Sequence, residues 1–210
     1  MSEQLIEVIR KKRESHIFER EAHSWYVEPA WVADGLFKAE KFSGRVWDPA
    51  CGLGTIVLAA RRAGYEAFGT DKVVRSDVCL GRHDFLDCVL SGDDIVSNPP
   101  FHLCDPRVGF PFIKRALDRA SGKVCMLLPT VWANSAKTSA WLETTPLLRE
   151  YRIGPRPSMP PGQVILRGEK PQGGRVDFSW FVWLRGFDGH ATVHGMRREP
   201  IARVAVEAAE

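Results

Sequence analysis

Short apolar segments alternate with amphipathic segments along most of the chain. GRVWD, EAFGTD, DDIVS and GKVCMLLP have the length and apolar character of buried strands, and IVLAARRAGY and PFIKRALDRAS have helical spacing. Each predicted strand ends in polar or glycine residues. This order predicts an α/β fold of the Rossmann-like, doubly wound type. We expect a mostly parallel sheet, helices on both faces, and ligands at the carboxyl ends of the strands.

The remaining segments set the expected limits of the domain. Residues 1–22 alternate apolar and charged positions at helical spacing, which predicts an amino-terminal helical extension. Residues 23–210 are expected to form a single domain, because 210 residues suffice for one well-packed α/β domain but not for two. Residues 133–175 lose the strand–helix pattern and contain the loop sequence GPRPSMPPG. The β-prone segment DFSWFVWLRG follows, and ATVHGMRR could form another strand.

Charge and cysteine content narrow the classes of partner. The net charge is +3, and residues 151–200 hold eight Lys or Arg against four Asp or Glu, which permits a polyanionic partner. Five cysteines without a CxxC pair predict reduced thiols in a cytoplasmic protein and no metal site. No apolar run is long enough for a membrane span, so no membrane partner is expected. None of these features defines an oligomeric state.

A glycine turn follows the first predicted strand, in the sequence DPACGLG that begins at Asp48. Glycines such as Gly52 and Gly54 allow a tight turn and the close approach of a ligand. A dinucleotide-binding turn would carry GxGxxG, whereas this turn lacks the third glycine and places a carboxylate before the first. That carboxylate would repel a pyrophosphate and suit a cation. S-adenosylmethionine, with its sulfonium and ammonium groups, is such a ligand.

Three further residues lie at predicted strand ends in the next thirty residues. Asp71 could accept hydrogen bonds from ribose hydroxyls, and Asp84 with Phe85 could bind an adenine amino group and ring. Singly, a strand-terminal Asp is more often a capping or turn residue. Their order after the glycine turn favours a nucleoside-binding edge.

The sequence Asn98-Pro99-Pro100-Phe101 follows the apolar strand DDIVS. Two prolines donate no hydrogen bond and fix φ, so nearby carbonyls are left as acceptors, and the asparagine amide adds another. Two converging acceptors bind both hydrogens of an exocyclic –NH₂ group, and an aromatic ring offers a face for a flat base. A simple strand-capping turn is the alternative for this motif taken alone.

In this order, DPACGLGT, Asp71, HDF and NPPF resemble motifs I to IV of class I S-adenosylmethionine-dependent adenine-N6 methyltransferases. The carboxyl-terminal part is similar to phage and prophage DNA methyltransferases. The resemblance implies a seven-stranded sheet, base flipping, and direct methyl transfer to adenine N6 in DNA with S-adenosylhomocysteine as product. It also implies short or relaxed sequence preference, since a separate recognition domain is missing. The implied catalytic residues are Asn98, Pro99, Pro100 and Phe101, and the implied cofactor-binding residues are Tyr26, Glu28, Pro29, Asp48, Ala50, Gly52, Gly54, Asp71, Asp84, Phe85 and Asn98.

Nucleic-acid contacts are expected in residues 133–175, the candidate recognition insert. The basic residues proposed for phosphate contacts are Arg152, Arg156, Arg167, Lys170 and Arg175. Three alternatives share the same motifs: an adenine-N6 methyltransferase acting on RNA, a glutamine-N5 methyltransferase acting on protein, and a degenerate module that binds S-adenosylmethionine without turnover. The basic carboxyl-terminal segment favours a nucleic-acid substrate over a protein.

Overall fold

The computed structural model describes residues 25–171 and 173–199. The helical extension expected at residues 1–22 lies outside this range. The strands are β1 Val46–Asp48, β2 Ala67–Asp71, β3 Cys79–Arg82, β4 Asp94–Ser97, β5 Lys123–Pro129, β6 Leu147–Gly154, β7 Phe178–Leu184 and β8 Thr192–Arg197. The α-helices are α1 Ala30–Ala39, α2 Thr55–Arg62, α3 Pro111–Arg119, α4 Ala136–Leu142 and α5 Gly162–Leu166, and 3₁₀ helices span Phe101–Cys104 and Thr130–Asn134.

All eight strands form one sheet in the order β3-β2-β1-β4-β5-β7-β6-β8. β7 runs antiparallel to both of its neighbours, β5 and β6, and every other pair is parallel. The predicted α/β class and mostly parallel sheet are therefore confirmed. The predicted count of seven strands is one too low, because β8 pairs with the edge of β6 along its whole length, from Arg149 opposite Thr192 to Gly154 opposite Arg197.

Helices cover both faces of the sheet, as expected. On one face, α1 and α2 pack on alternate strand residues such as Cys125, Leu127 and Trp180. On the other face, α3 packs on the residues between them, including Met126 and Phe181. Consecutive side chains of a strand point to opposite faces, which is why the central strands read as continuous apolar runs.

The parallel strands end at one edge of the sheet, and polar residues gather there. Asp48, Asp71 and Ser97 are the last residues of β1, β2 and β4, and all three are buried. Residues 133–175 contain α4, β6 and α5, so this interval supplies a strand of the sheet in addition to loops. Among the described helices, none has the length and apolar character needed to cross a bilayer.

Candidate active site

The turn after β1 is shaped by its glycines and by Asp48. Gly52 and Gly54 have φ values of 52° and 84°, in the left-handed region that glycine tolerates best. A Cβ on Gly54, which precedes the first turn of α2, would overlap the Val78 side chain. The buried Asp48 carboxylate accepts hydrogen bonds from the Ala50 N–H at 3.1 Å and from a hydroxyl at the end of β4 at 2.8 Å. The turn is therefore fixed to the neighbouring strand.

Asp71, at the end of β2, ties the glycine turn to the following loop. Its Oδ2 accepts a hydrogen bond from Gly52 N at 2.9 Å. Its Oδ1 accepts from Val73 N at 2.9 Å and from Arg75 Nη1 at 3.0 Å. A carboxylate has about four acceptor positions, so three of them are engaged by the protein itself. A ribose diol at this carboxylate would compete with the guanidinium.

Asp84 and Phe85 lie beside this loop, at the same edge. The Asp84 carboxylate accepts from Lys72 Nζ at 2.7 Å, and this ion pair holds the pKa of Asp84 below its usual value. Phe85 is buried and meets the Trp47 ring edge-on, with centroids 5.3 Å apart. One side of the edge is thus polar and the other is aromatic, an arrangement compatible with a purine.

Residues Trp25 to Pro29, which we call the strap, cross the carboxyl edge before α1 begins. Val27 N donates to Pro160 O at 2.9 Å, and Gly162 N donates to Trp25 O at 3.0 Å. These bonds attach the strap to the proline-rich loop before α5. Inside the strap, Glu28 is buried, with 7% of its surface exposed. Four strap residues, Trp25 to Glu28, line the same cavity as Asp71.

Asn98 follows β4 directly and points its amide group at the strap. Its Nδ2 donates to the Tyr26 carbonyl oxygen and to Glu28 Oε2, both at 2.8 Å. Both amide hydrogens are therefore engaged, and the remaining hydrogen-bonding atom of the side chain is the acceptor Oδ1. The Pro100 carbonyl accepts from Leu103 N at 2.9 Å in the 3₁₀ turn, whereas Pro99 is buried at the strand end.

These elements enclose a cavity of about 570 Å³, a size common for small-molecule sites. The predicted site residues that line it are Tyr26, Glu28, Asp48, Ala50, Gly52, Asp71, Asp84, Phe85, Asn98 and Pro100. The other four, Pro29, Gly54, Pro99 and Phe101, are not among the lining residues. Pro29 precedes the first residue of α1, and Phe101 stacks parallel to Tyr26 with centroids 6.4 Å apart and also meets Phe178 at 5.9 Å.

Several lining residues were not predicted from the sequence. They include Trp25, Thr55, Lys72, Arg75, His83 and His102. The Arg75 guanidinium lies over the Trp25 ring, 4.4 Å from its centroid, while it pairs with Asp71. No sequence pattern pointed to this ion pair, since residues 72–75 form a loop in which a spacing of four residues has no fixed geometry, and no pattern pointed to Trp25. The Trp25 indole N–H is buried and has no hydrogen-bond partner among the described residues.

Burial changes the charge state of the cavity's carboxyl groups. Desolvation raises the pKa of Glu28 from 4.5 to about 7, and hydrogen bonds from Asn98 and Thr55 only partly offset it. Desolvation also raises the pKa of Asp48 well above its usual range, and the nearby charges of Glu28 and Asp71 add to this increase. Because the charges of Glu28 and Asp71 oppose the ionisation of Asp48, a cationic ligand in the cavity would be favoured.

The proposed nucleic-acid contacts lie outside this cavity, since none of them is among its lining residues. Arg152 is on β6 and pairs with Glu150 at 3.3 Å. Arg156 pairs with Asp177 at 2.7 Å, and Arg167 approaches Glu169 at 3.8 Å. Lys170 and Arg175 are exposed. A phosphate group bound by the first three arginines would have to displace or share these carboxylates.

Solved structures of methyltransferases have a similar fold. A methyltransferase subunit of a type I restriction-modification system from Streptococcus thermophilus superposes with a TM-score of 0.53 at 13% identity, covering 84% of this chain and 47% of its own. The chain has the methyltransferase fold. The modification subunit of a candidate type I restriction enzyme from Vibrio vulnificus gives a TM-score of 0.55 at 14% identity and 95% and 51% coverage.

A third structure broadens the range of substrates among proteins with this fold. A candidate RNA methyltransferase from Pyrococcus horikoshii gives a TM-score of 0.55 at 13% identity, covering 87% of this chain and 98% of its own. The chain spans about half the length of the two restriction-system subunits. No protein-family model and no curated protein matches the sequence. At these identities the likeness concerns the fold alone.

Proposed function

We propose that the chain transfers a methyl group from S-adenosylmethionine to the N6 amino group of adenine in DNA. The observation that carries this proposal is the geometry of Asn98. Both hydrogens of its Nδ2 are engaged by the strap, so the side chain offers an oxygen acceptor beside a cavity that suits a cationic ligand. An amino-group acceptor next to such a cavity matches the needs of methyl transfer to –NH₂.

The residues of the cavity fit S-adenosylmethionine. Glu28, Asp48 and Asp71 line the cavity, and the sulfonium and ammonium groups of a bound cofactor would favour the ionised forms of Glu28 and Asp48. The Trp25 N–H, which has no partner among residues 25–171 and 173–199, lies close to Gly52, where a Cβ would come within 3.0 Å of it, and such a buried donor favours a ligand acceptor such as a carboxylate. Asp71 would hold the ribose, and Asp84 with Phe85 the adenine. When bound, the cofactor supplies a methyl group activated by its positive sulfur.

The residues of this chain then have to align the acceptor amine. Asn98 Oδ1 and the Pro99 carbonyl would hold the two amino hydrogens, which draws the nitrogen toward tetrahedral geometry and frees its lone pair. Alignment of this kind supplies much of the rate enhancement when the leaving group is already activated. Base flipping costs a few kcal/mol, and phosphate contacts would offset it, with the proposed residues Arg152, Arg156, Arg167, Lys170 and Arg175. Stacking of Phe101 on the base stays a prediction.

Two observations favour a nucleic-acid substrate over a protein, and the first of them favours DNA. Two of the structural neighbours are subunits of restriction systems, and the exposed basic residues lie on β6 and in the loops on either side of α5, which is bonded to the strap. The candidate RNA methyltransferase from Pyrococcus supports RNA as the second candidate substrate. Short or relaxed sequence preference, with residues 133–175 as the recognition region and 23–210 as one domain, is part of the proposal, as is the kinship with phage enzymes.

The test is an incubation of the purified protein with labelled S-adenosylmethionine and, separately, double-stranded DNA, single-stranded DNA, RNA and a protein extract. Mass spectrometry of the digested acceptors would show N6-methyladenine in DNA if the proposal is right. The matched control is Asn98→Ala, which should keep cofactor affinity and lose most turnover. Label found only in RNA, or only in glutamine, would identify RNA or protein as the substrate in place of DNA. If no acceptor is labelled although the protein binds the cofactor, the protein would be a module that binds S-adenosylmethionine without turnover.

A further inference from the structure

The orientation of the Asn98 amide is set by residues about seventy positions earlier in the chain. Its Nδ2 is 2.8 Å from the Tyr26 carbonyl oxygen and 2.8 Å from Glu28 Oε2. Both acceptors belong to the strap, and the Glu28 carboxyl is buried. The Glu28 carboxyl also hydrogen-bonds to Thr55 and faces the charge of Asp48.

An asparagine amide has two orientations of nearly the same shape and opposite hydrogen-bonding character. With Nδ2 toward the strap, Oδ1 is the acceptor available to an amino group. Rotated by half a turn, the side chain would present –NH₂ to that amino group, donor against donor. The rotation would also bring Oδ1 against a carbonyl and a carboxyl oxygen, acceptors that cannot donate to it when Glu28 is ionised. The strap acceptors therefore disfavour the rotated orientation, which is also the one that cannot accept from the target amino group.

We propose that Glu28 is a positioning residue that holds the Asn98 oxygen toward the target amino group, in addition to any contact with the cofactor. This inference rests on the proposed function. The strap contributes to the same half of the site a second time, because the Tyr26 ring stacks on Phe101 with an interplanar angle of 4°. One segment thus fixes both the acceptor amide and the aromatic ring of the NPPF motif.

Kinetics with saturating cofactor separate this role from cofactor binding. Glu28→Ala should lower kcat about tenfold or more, because the amide loses one of its two acceptors. Glu28→Gln keeps a carbonyl oxygen that can accept from Nδ2, so its kcat should stay within about threefold of wild type. Glu66→Ala, which removes an exposed carboxylate, is the matched control. If both Glu28 variants raise KM for the cofactor and leave kcat unchanged, the positioning role is wrong.

An Asn98→Asp background sharpens the test, since a carboxylate presents an acceptor in either orientation. In that background Glu28→Ala should cost no activity, or should raise it by removing a like charge. An unchanged penalty would contradict the proposal, because Glu28 would then be acting on something other than the amide. Double-mutant comparison of this kind isolates the interaction between the two side chains.

Nuclear magnetic resonance tests the same contact without any turnover, which separates its failure from failure of the proposed function. The chain contains two asparagines, Asn98 and Asn134, so ¹⁵N-asparagine labelling gives two side-chain amide signals, and Asn98→Asp assigns them. The Asn98 amide protons should shift with a midpoint near pH 7, as ionised Glu28 strengthens their hydrogen bond.

That shift should vanish in Glu28→Gln, which removes the Glu28 carboxyl and leaves Asp48 in place. If the Asn98 amide signal changes neither with pH nor with the Glu28 substitution, the proposal is wrong even if the enzyme is active. A signal that follows Glu28 in a protein without methyl transfer would keep the contact and reject the proposed function.

Discussion

Replacing Glu28 with glutamine should make stability depend on pH in a defined way. Burial raises the pKa of Glu28 from 4.5 to about 7 in the folded protein. A raised pKa means that the folded state holds the proton more tightly than the unfolded state. The associated stability is therefore fully present below about pH 4.5 and is lost as the pH rises through about 7. Glutamine has a similar shape and no proton to lose, so it escapes this loss.

The magnitude follows from the difference between the two pKa values. One pKa unit corresponds to about 1.4 kcal/mol, so a shift from 4.5 to about 7 corresponds to roughly 3 kcal/mol. The free energy of unfolding of Glu28→Gln, relative to wild type, should rise by about that amount between pH 5 and pH 8. Any constant cost of placing an amide in this site shifts the whole curve and leaves its slope unchanged.

Urea unfolding of the protein without cofactor, at half-unit steps from pH 5 to pH 8, measures this difference directly. Asp48 is present in both proteins, but the charge of Glu28 contributes to its raised pKa, so the difference curve reports Glu28 together with its effect on Asp48. Glu66→Gln, at an exposed position, should give a flat difference curve. A flat curve for Glu28→Gln as well would refute the reasoning, because Glu28 would then have a similar pKa in the folded and unfolded states.

Three further perturbations test other parts of the site. Gly54→Ala should destabilise the protein by about 3 kcal/mol, because it combines a left-handed backbone with a steric overlap. Gly64→Ala, at a φ of 89° and with open space around it, should cost about 1 kcal/mol. Thermal or urea unfolding of the two variants compares these losses. Arg75→Ala should cost about 3 kcal/mol because the buried Asp71 carboxylate loses this cationic partner and keeps its two backbone hydrogen bonds. Arg62→Ala removes an exposed pair worth about 0.5 kcal/mol, and equal losses in the same assay would contradict the burial argument. Binding of S-adenosylmethionine at pH 7 should release protons, since a cation favours ionised Glu28. Titration calorimetry in buffers of different ionisation enthalpy measures this release, which should be present in wild type and smaller in Glu28→Gln.

The parts of the structure that the sequence predicted are those encoded by local patterns. Continuous apolar runs identified β1, β2, β4 and β5 but not the short edge strand β3, and the polar residues that end or follow three of them, Asp48, Asp71 and Asn98, had to meet at one edge because parallel strands end together. The glycine turn was recognisable for the same reason, since Gly52 and Gly54 occupy positions where φ is positive. These inferences needed no knowledge of distant contacts.

The missed features depend on contacts between distant segments. The hydrogen bond from Asn98 to Glu28 joins residues seventy positions apart, and no local pattern specifies it. Trp25 reaches the cavity because the strap pairs with the loop before α5. β8 was recognisable as a β-prone segment, but its pairing with β6 depends on which edge of the sheet is free. The ion pair of Arg156 with Asp177 likewise follows from the fold.

The end of β4 joins the two halves of the site. Ser97 donates to Asp48 in the glycine turn at 2.8 Å, and the next residue, Asn98, donates to Glu28 in the strap at 2.8 Å. Because Asp48 and Glu28 also raise each other's cost of ionisation, a charge bound near one of them changes the strength of the hydrogen bonds at the other. A cationic cofactor would favour ionised Glu28 and thereby tighten its hold on the Asn98 amide. Occupation of the cofactor half would then prepare the acceptor half, so substitutions at Ser97 and Glu28 should be non-additive in turnover.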